Sequence, residues 1–281
     1  MLAPRLLVAL AAAFIVTSAP AREQSDAPFA EVVGFSADGR YFAWEEYAYD
    51  IVSDALVAAI HVIDRESNLP APGFPFGVVP EEADGSFPVL VGGFAPDPAL
   101  LDTNDFDPDL DALRTALREA ASPKLGALGI GRQGRRVAGV PMTQRSPAES
   151  RAAPLSFVIW PTIPGPIPDQ QLSYTIDARR DPEDPGCANA NPPQRMKPVT
   201  FDVIATSTWP EIKDVSRKQT MHSYRLAAGE CDAGLWLSEI FVPPGKDHTH
   251  VAVLYLTSHW GSFTESARWR GAFVALPDDP R

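Results

Sequence analysis

The C-terminal third of this 281-residue chain is a series of five short apolar runs separated by polar turns, and that spacing leaves little freedom of fold. The runs are Val199 to Thr208, Met221 to Leu226, Leu235 to Val242, His250 to Thr257 and Trp269 to Leu276. Each has the length of a strand, and alternation over so few residues favours an antiparallel sheet.

The N-terminal part carries a second β signal. Val32 to Phe35 leads into Ser36-Ala37-Asp38-Gly39, an Asp-Gly turn. Tyr41 to Tyr47 follows, rich in aromatics, and Ala58 to Asp64 completes an antiparallel pair within a hairpin spanning residues 31–65. FSADGRYFAW followed by IHVID resembles one blade hairpin of TolB-type β-propellers. A propeller needs at least about four such blades, and this motif occurs once. A full propeller is therefore excluded.

Between these regions one helix is predicted. Asp107 is placed to cap it, Pro108 suits its first turn, and Leu110, Leu113 and Leu117 recur at helical spacing. Pro123 is expected to stop it, which gives a helix over 108–121. Leu69 to Phe106 reads as irregular chain with short strands at most. Eleven of the 29 prolines fall between Arg145 and Pro198, leaving room only for strands at Leu155 to Trp160 and Leu172 to Ile176. The expected fold class is mainly β (α+β), an antiparallel sheet or sandwich with one inserted helix and a C-terminal sheet over 199–276.

The first residues predict export. Arg5 precedes an apolar run from Leu6 to Val16, long enough for a signal peptide. It is too short to span a bilayer, which takes about 20 residues. Ala19 and Ala21 supply the small residues before a cleavage site after Ala21. The expected product is one β-rich exported domain, residues 22–281, periplasmic or extracellular and without a membrane span. The chain's net charge of −12 argues against nucleic acid, and Arg132, Arg135 and Arg136 are too few to offset it. Cys187 and Cys231 are the only cysteines, and in an exported chain an even count favours a disulfide between them.

The stretch GFSADGRYFAWEEYAYDIVSDALVAAIHVID resembles the opening of the DUF2259 family of predicted secreted bacterial proteins. Looser similarities are the helix and loop LRTALREAASPKLGALGIG and the C-terminal segments LSEIFVPPG, VAVLYLTSHWGSF and WRGAFVAL. Ala37 stands where the family phrase has Pro. The resemblance implies export and a shared architecture; it implies no catalytic activity.

Candidate chemistry is sparse. Gly129, Gly131 and Gly134 have the letters of a dinucleotide fingerprint, but they follow a helix rather than a strand. Asp102, Asn104, Asp105, Asp107, Asp109 and Asp111 lack the Gly and Glu of a calcium loop and read as the acidic lead-in to the helix. His248 and His250, with Asp247 and His259 nearby, form the one metal-like constellation. The bland alternative puts His248 in a polar turn and His250 at the start of a strand, and no cofactor is otherwise implied. His61, between Ile60 and Val62, reads as a packed core histidine. Glu45 and Glu46 suggest a glycosidase pair, but neighbours on a strand point to opposite faces and cannot flank one bond. The favoured reading is a non-catalytic protein binding a ligand or protein partner in the envelope. The alternative is an exported hydrolase or metal-dependent enzyme with residues converging from separate strands.

Overall fold

The computed structural model describes residues 28–50, 55–80, 88–101, 109–139, 155–159, 172–180, 199–209, 212–224, 231–245, 249–260 and 265–277. It is mainly β, with antiparallel sheets, a curled half-barrel and, among the described residues, a single α-helix, neither a closed barrel nor a propeller.

The first sheet starts as a meander: β1 (Phe29–Ser36), β2 (Tyr41–Asp50) and β3 (Ala55–Asp64). The hairpin expected over 31–65 is thus three paired strands. The Asp-Gly turn between β1 and β2 is held by side chains. Asp38 accepts from Ser36 Oγ and from the Arg40 N–H, while Gly39, at φ +68°, donates its N–H to the Ser36 carbonyl. β4 (Phe76–Pro80) and β5 (Pro88–Val91) extend this sheet, and β6 (Ile130–Arg132) closes its other side in the order β5-β4-β3-β2-β1-β6.

The helix α1 runs over Leu110–Ala127, longer than the 108–121 predicted. Asp109, not Asp107, is its cap, its Oδ1 accepting the Ala112 N–H at 2.8 Å. Pro123 lies inside the helix rather than ending it. Proline deprives the carbonyl four residues earlier of its donor. Here that carbonyl belongs to Glu119, and both residues are on the exposed side, where water can replace the lost bond. The predicted leucine stripe is the buried face: Leu113, Leu117 and Ala121 are fully enclosed and pack on Ala58, Ile60 and Val62 of β3.

The chain leaves the first sheet through Gln133 and Gly134 and enters β7 (Arg135–Gly139), the edge of a second sheet. A Cβ on Gly134 would come within 2.3 Å of the Phe35 ring, so only glycine passes at this crossing. The second sheet continues with β12 (Cys231–Val242), β13 (His250–Trp260) and β14 (Glu265–Ala275), in the order β14-β13-β12-β7. The third comprises β8 (Leu155–Ile159), β9 (Leu172–Arg180), β10 (Val199–Trp209) and β11 (Ile212–Tyr224), in the order β11-β10-β9-β8.

Three apolar cores separate these layers. One lies between α1 and the first sheet, one between the first and second sheets, and one between the second and third. β13 is buried on both faces: Ala252, Leu254 and Leu256 face the first sheet, while Val251, Val253 and Tyr255 face the third. That is why HVAVLYLT reads as a nearly unbroken apolar run.

Candidate functional site on the two faces of strand β2

The chemistry-bearing residues of the described chain gather around β2, where Glu45 and Glu46 are both buried. The period of two sends them to opposite faces, as the sequence requires. Glu45 turns towards α1 with Tyr41, Ala43 and Tyr47. Glu46 turns towards the second sheet with Phe42 and Trp44.

On the helix face, Arg114 and Arg118 are one turn apart and project from the same side of α1. Arg114 donates through Nε to Glu45 Oε1 at 2.7 Å, and Arg118 through Nε to Glu45 Oε2 at 2.7 Å. Both also donate through Nη2 to Glu31 Oε2 of β1, each at 2.8 Å. Burial pushes both guanidinium pKa values down, but the neighbouring acids, Glu45 foremost and then Glu31, act against it and both values are raised. A fully buried carboxylate is thus enclosed by two cations that hold the helix on the sheet.

An aromatic stack grows from this network. The Arg114 Cζ sits 3.5 Å from the Tyr47 ring centroid, and Phe29 stacks on Tyr47 with centroids 5.5 Å apart. Phe29 is 64% exposed and Tyr49, two residues beyond Tyr47, is 37% exposed. Phe29 and Tyr47, anchored to a buried ion pair, and Tyr49 beyond them form a ledge along β1 and β2.

On the other face, Trp44 and His61 are cross-strand partners with rings stacked at 5.0 Å and 8°. His61 Nε2 stands 3.1 Å from Glu46 Oε2. Glu46 Oε1 accepts the backbone N–H of Trp269, on β14, at 3.0 Å. Burial pushes the Glu46 carboxyl up, but His61, Arg268 and that N–H outweigh it and hold the pKa below its ordinary 4.5. A carboxyl lowered on folding contributes stability that is present above its unfolded pKa and lost as pH falls through the folded one. Replacing Glu46 with Gln is therefore expected to flatten the acid limb of a urea-midpoint profile, scanned from about pH 6 down to about pH 3.

Asn68 supplies a parallel contact, its Oδ1 accepting the Phe273 N–H at 2.8 Å from a left-handed backbone at φ +54°. Asn68→Ala loses the contact and keeps the strain. We expect a loss of about 1–3 kcal/mol in equilibrium unfolding, with Asn68→Gly losing less.

Among the described residues, the other sequence candidates do not converge on this site. His250 opens β13, as the bland reading placed it, with Nδ1 2.8 Å from Thr249 Oγ1. His248 and Cys187 lie outside the described residues, as do residues 1–27 and the acids at 102, 105 and 107. Cys231 begins β12. Among the described residues no group of three or more His, Cys, Asp or Glu is arranged to hold a metal ion, and no helix is long and apolar enough to cross a membrane. Gly129, Gly131 and Gly134 serve the step from α1 through β6 to β7. His61 is partly buried on β3 and, besides its apolar neighbours, has the Glu46 carboxylate beside its ring.

Sequence reasoning missed Arg114, Arg118 and Glu31. A signal for the arginines existed: each directly follows a buried leucine of the stripe, Leu113 and Leu117, and so flanks the apolar face. Comparison with protein-family models, curated proteins and solved structures finds no match for the chain.

Proposed function

We propose that this is an exported, non-catalytic binding protein whose contact surface is the aromatic ledge of the first sheet, Phe29, Tyr47 and Tyr49. Its occupant is a protein partner in the cell envelope. The observation that supports this is the combination of exposure and rigidity at Phe29, a ring 64% exposed yet stacked on Tyr47, which is clamped by Arg114. A ring so exposed stands out of the surface instead of lining a cleft, which suits a protein contact better than a small-molecule pocket. Holding the ring in place beforehand lowers the ordering cost of association.

Charge indicates what the partner brings. The chain carries −12 overall, and Glu31 and Asp111 are exposed beside the ledge. The two neighbouring arginines already serve Glu45 and Glu31. An apolar or planar group against Phe29, rimmed by basic residues, is the complementary surface. The signal peptide, cleavage after Ala21 and kinship with the DUF2259 family belong to the same proposal, since each would place the protein where such a partner resides.

A photo-crosslinking residue at position 29 or 49 is expected to trap one and the same envelope protein in living cells, and a probe at exposed Asp97 is not. Phe29→Ala with Tyr49→Ala is expected to abolish the adduct formed from a probe at position 31. It should change unfolding stability by no more than about 1 kcal/mol. Adducts that do not differ between ledge and control positions, or none at all, would sink the proposal.

A further inference from the structure

We propose that the open edge of β1, from Phe29 to Val32, receives an extended segment of the partner as an added antiparallel strand. On one side β1 is paired with β2, Phe29 standing opposite Tyr47 and Val32 opposite Trp44. On its other side, among the described residues, β6 pairs with it only at Phe35 and Ser36. Beyond that point the chain departs through Gln133 and Gly134 towards the second sheet. The register shift between Val32 and Gly34 marks the same boundary. From Val32 back to Phe29, every second residue turns its N–H and C=O away from β2. An extended chain is what such a row binds, because its own donors and acceptors repeat at the matching spacing.

Sheet edges are normally blunted by charge, proline or shortness. β7 carries Arg135 and Arg136, β14 carries Arg268 and Arg270, and β11 carries Lys213 and Arg217. β5 is four residues long and starts at Pro88, β6 is three residues long, and β8 runs alongside β7. The open part of β1 has one charged residue, Glu31, and its carboxylate is drawn to Arg114 and Arg118. This edge is also held in place. Its inner side is paired, and the Pro28 carbonyl just before it accepts the Trp269 indole N–H. A template fixed beforehand lowers the cost of ordering the incoming chain.

Opposite residues of paired strands share a face, so β1 dictates the alternation of its partner. Phe29 and Glu31 lie on the helix face, while Ala30 and Val32 border the core between the first and second sheets. Read against Val32, Glu31, Ala30 and Phe29, the complementary segment is apolar, basic, apolar and aromatic. Its basic residue meets Glu31, with Asp111 exposed on α1 nearby. Its aromatic residue continues the ledge beside Phe29, and its apolar residues extend the core past Ala30 and Val32. The inference deepens the ledge reading and rests on it for the partner and the compartment; what it adds is pairing through the backbone.

Amide exchange on the full mature chain, read by nuclear magnetic resonance, tests this with a defined probe. The probe is the peptide Val-Lys-Val-Tyr, flanked by lysines and blocked at both ends. In the protein alone, alternate amides from Phe29 to Val32 are expected to exchange at least about tenfold faster than those between them. With peptide at about 1 mM, the fast amides should gain about tenfold in protection. Of two peptides N-methylated at alternate residues, one should lose this effect and the other keep it, because only one set of N–H groups faces β1. Amides that are all protected in the protein alone, no gain with the peptide, or N-methylated peptides that act alike would each overturn strand addition. The ledge survives those results if probes at positions 29 and 49 still trap one envelope protein. Lost trapping with the peptide still paired overturns the ledge reading instead.

Discussion

Replacing Glu45 with Leu is expected to cost about 3–5 kcal/mol of folding stability, read as a lower urea midpoint at unchanged slope. The size follows from what remains behind. Arg114 has only 14% of its side chain exposed, and without Glu45 it is left with Glu31 and, at 3.6 Å, Asp111. Breaking a buried pair on one side costs more than removing both partners, because an uncompensated charge stays in a poorly solvated place. Glu45→Leu combined with Arg114→Leu should accordingly recover a large part of the loss. Glu31→Ala should cost no more than about 1 kcal/mol, since Glu31 is 55% exposed and surface ion pairs contribute little. A Glu45→Leu protein within about 1 kcal/mol of the parent would mean that the network does not hold α1 to the sheet.

The second large effect is expected at Gly77. This residue of β4 has φ +142°, and a Cβ there would lie 2.3 Å from the Ala58 carbonyl oxygen and 2.7 Å from the Ala59 Cα. Both obstacles are backbone of β3, so no side chain can swing away. Gly77→Ala combines backbone strain with overpacking, and about 2–5 kcal/mol is expected from the two together. β4 and β5 should separate from β3, removing Phe76 and Val78 from the core beneath the helix. Gly93 separates the two causes. It has φ +83° and nothing within 4 Å of an added Cβ, so Gly93→Ala should show the strain alone. Thermal unfolding of the two variants checks this; equal losses would refute the steric argument.

Legibility from the sequence was uneven, for identifiable reasons. The Asp-Gly turn, the leucine stripe and the opposite orientations of Glu45 and Glu46 were all readable, because each depends on a local period or local hydrogen bonds. The end of α1 was misjudged at Pro123. A proline weighs against a helix interior, but here the carbonyl it orphans is on the solvent side while Ala121, Leu117 and Leu113 hold the inner face. Tertiary burial overrode the local signal. β4 and β5 lay within chain expected to be irregular with short strands at most, and such strands are what the structure contains.

The sequence by itself determined that this protein is built mainly from antiparallel strands with one amphipathic helix, since apolar spacing and turn residues act over a few neighbours. Tertiary structure decided which faces became interfaces. It alone joined Glu31, Glu45, Arg114 and Arg118 across as many as 87 positions of chain, and Glu46, His61 and Trp269 across as many as 223. A buried carboxylate is stable only where a cation or an N–H already waits. No local pattern records that meeting, because it depends on how the layers stack.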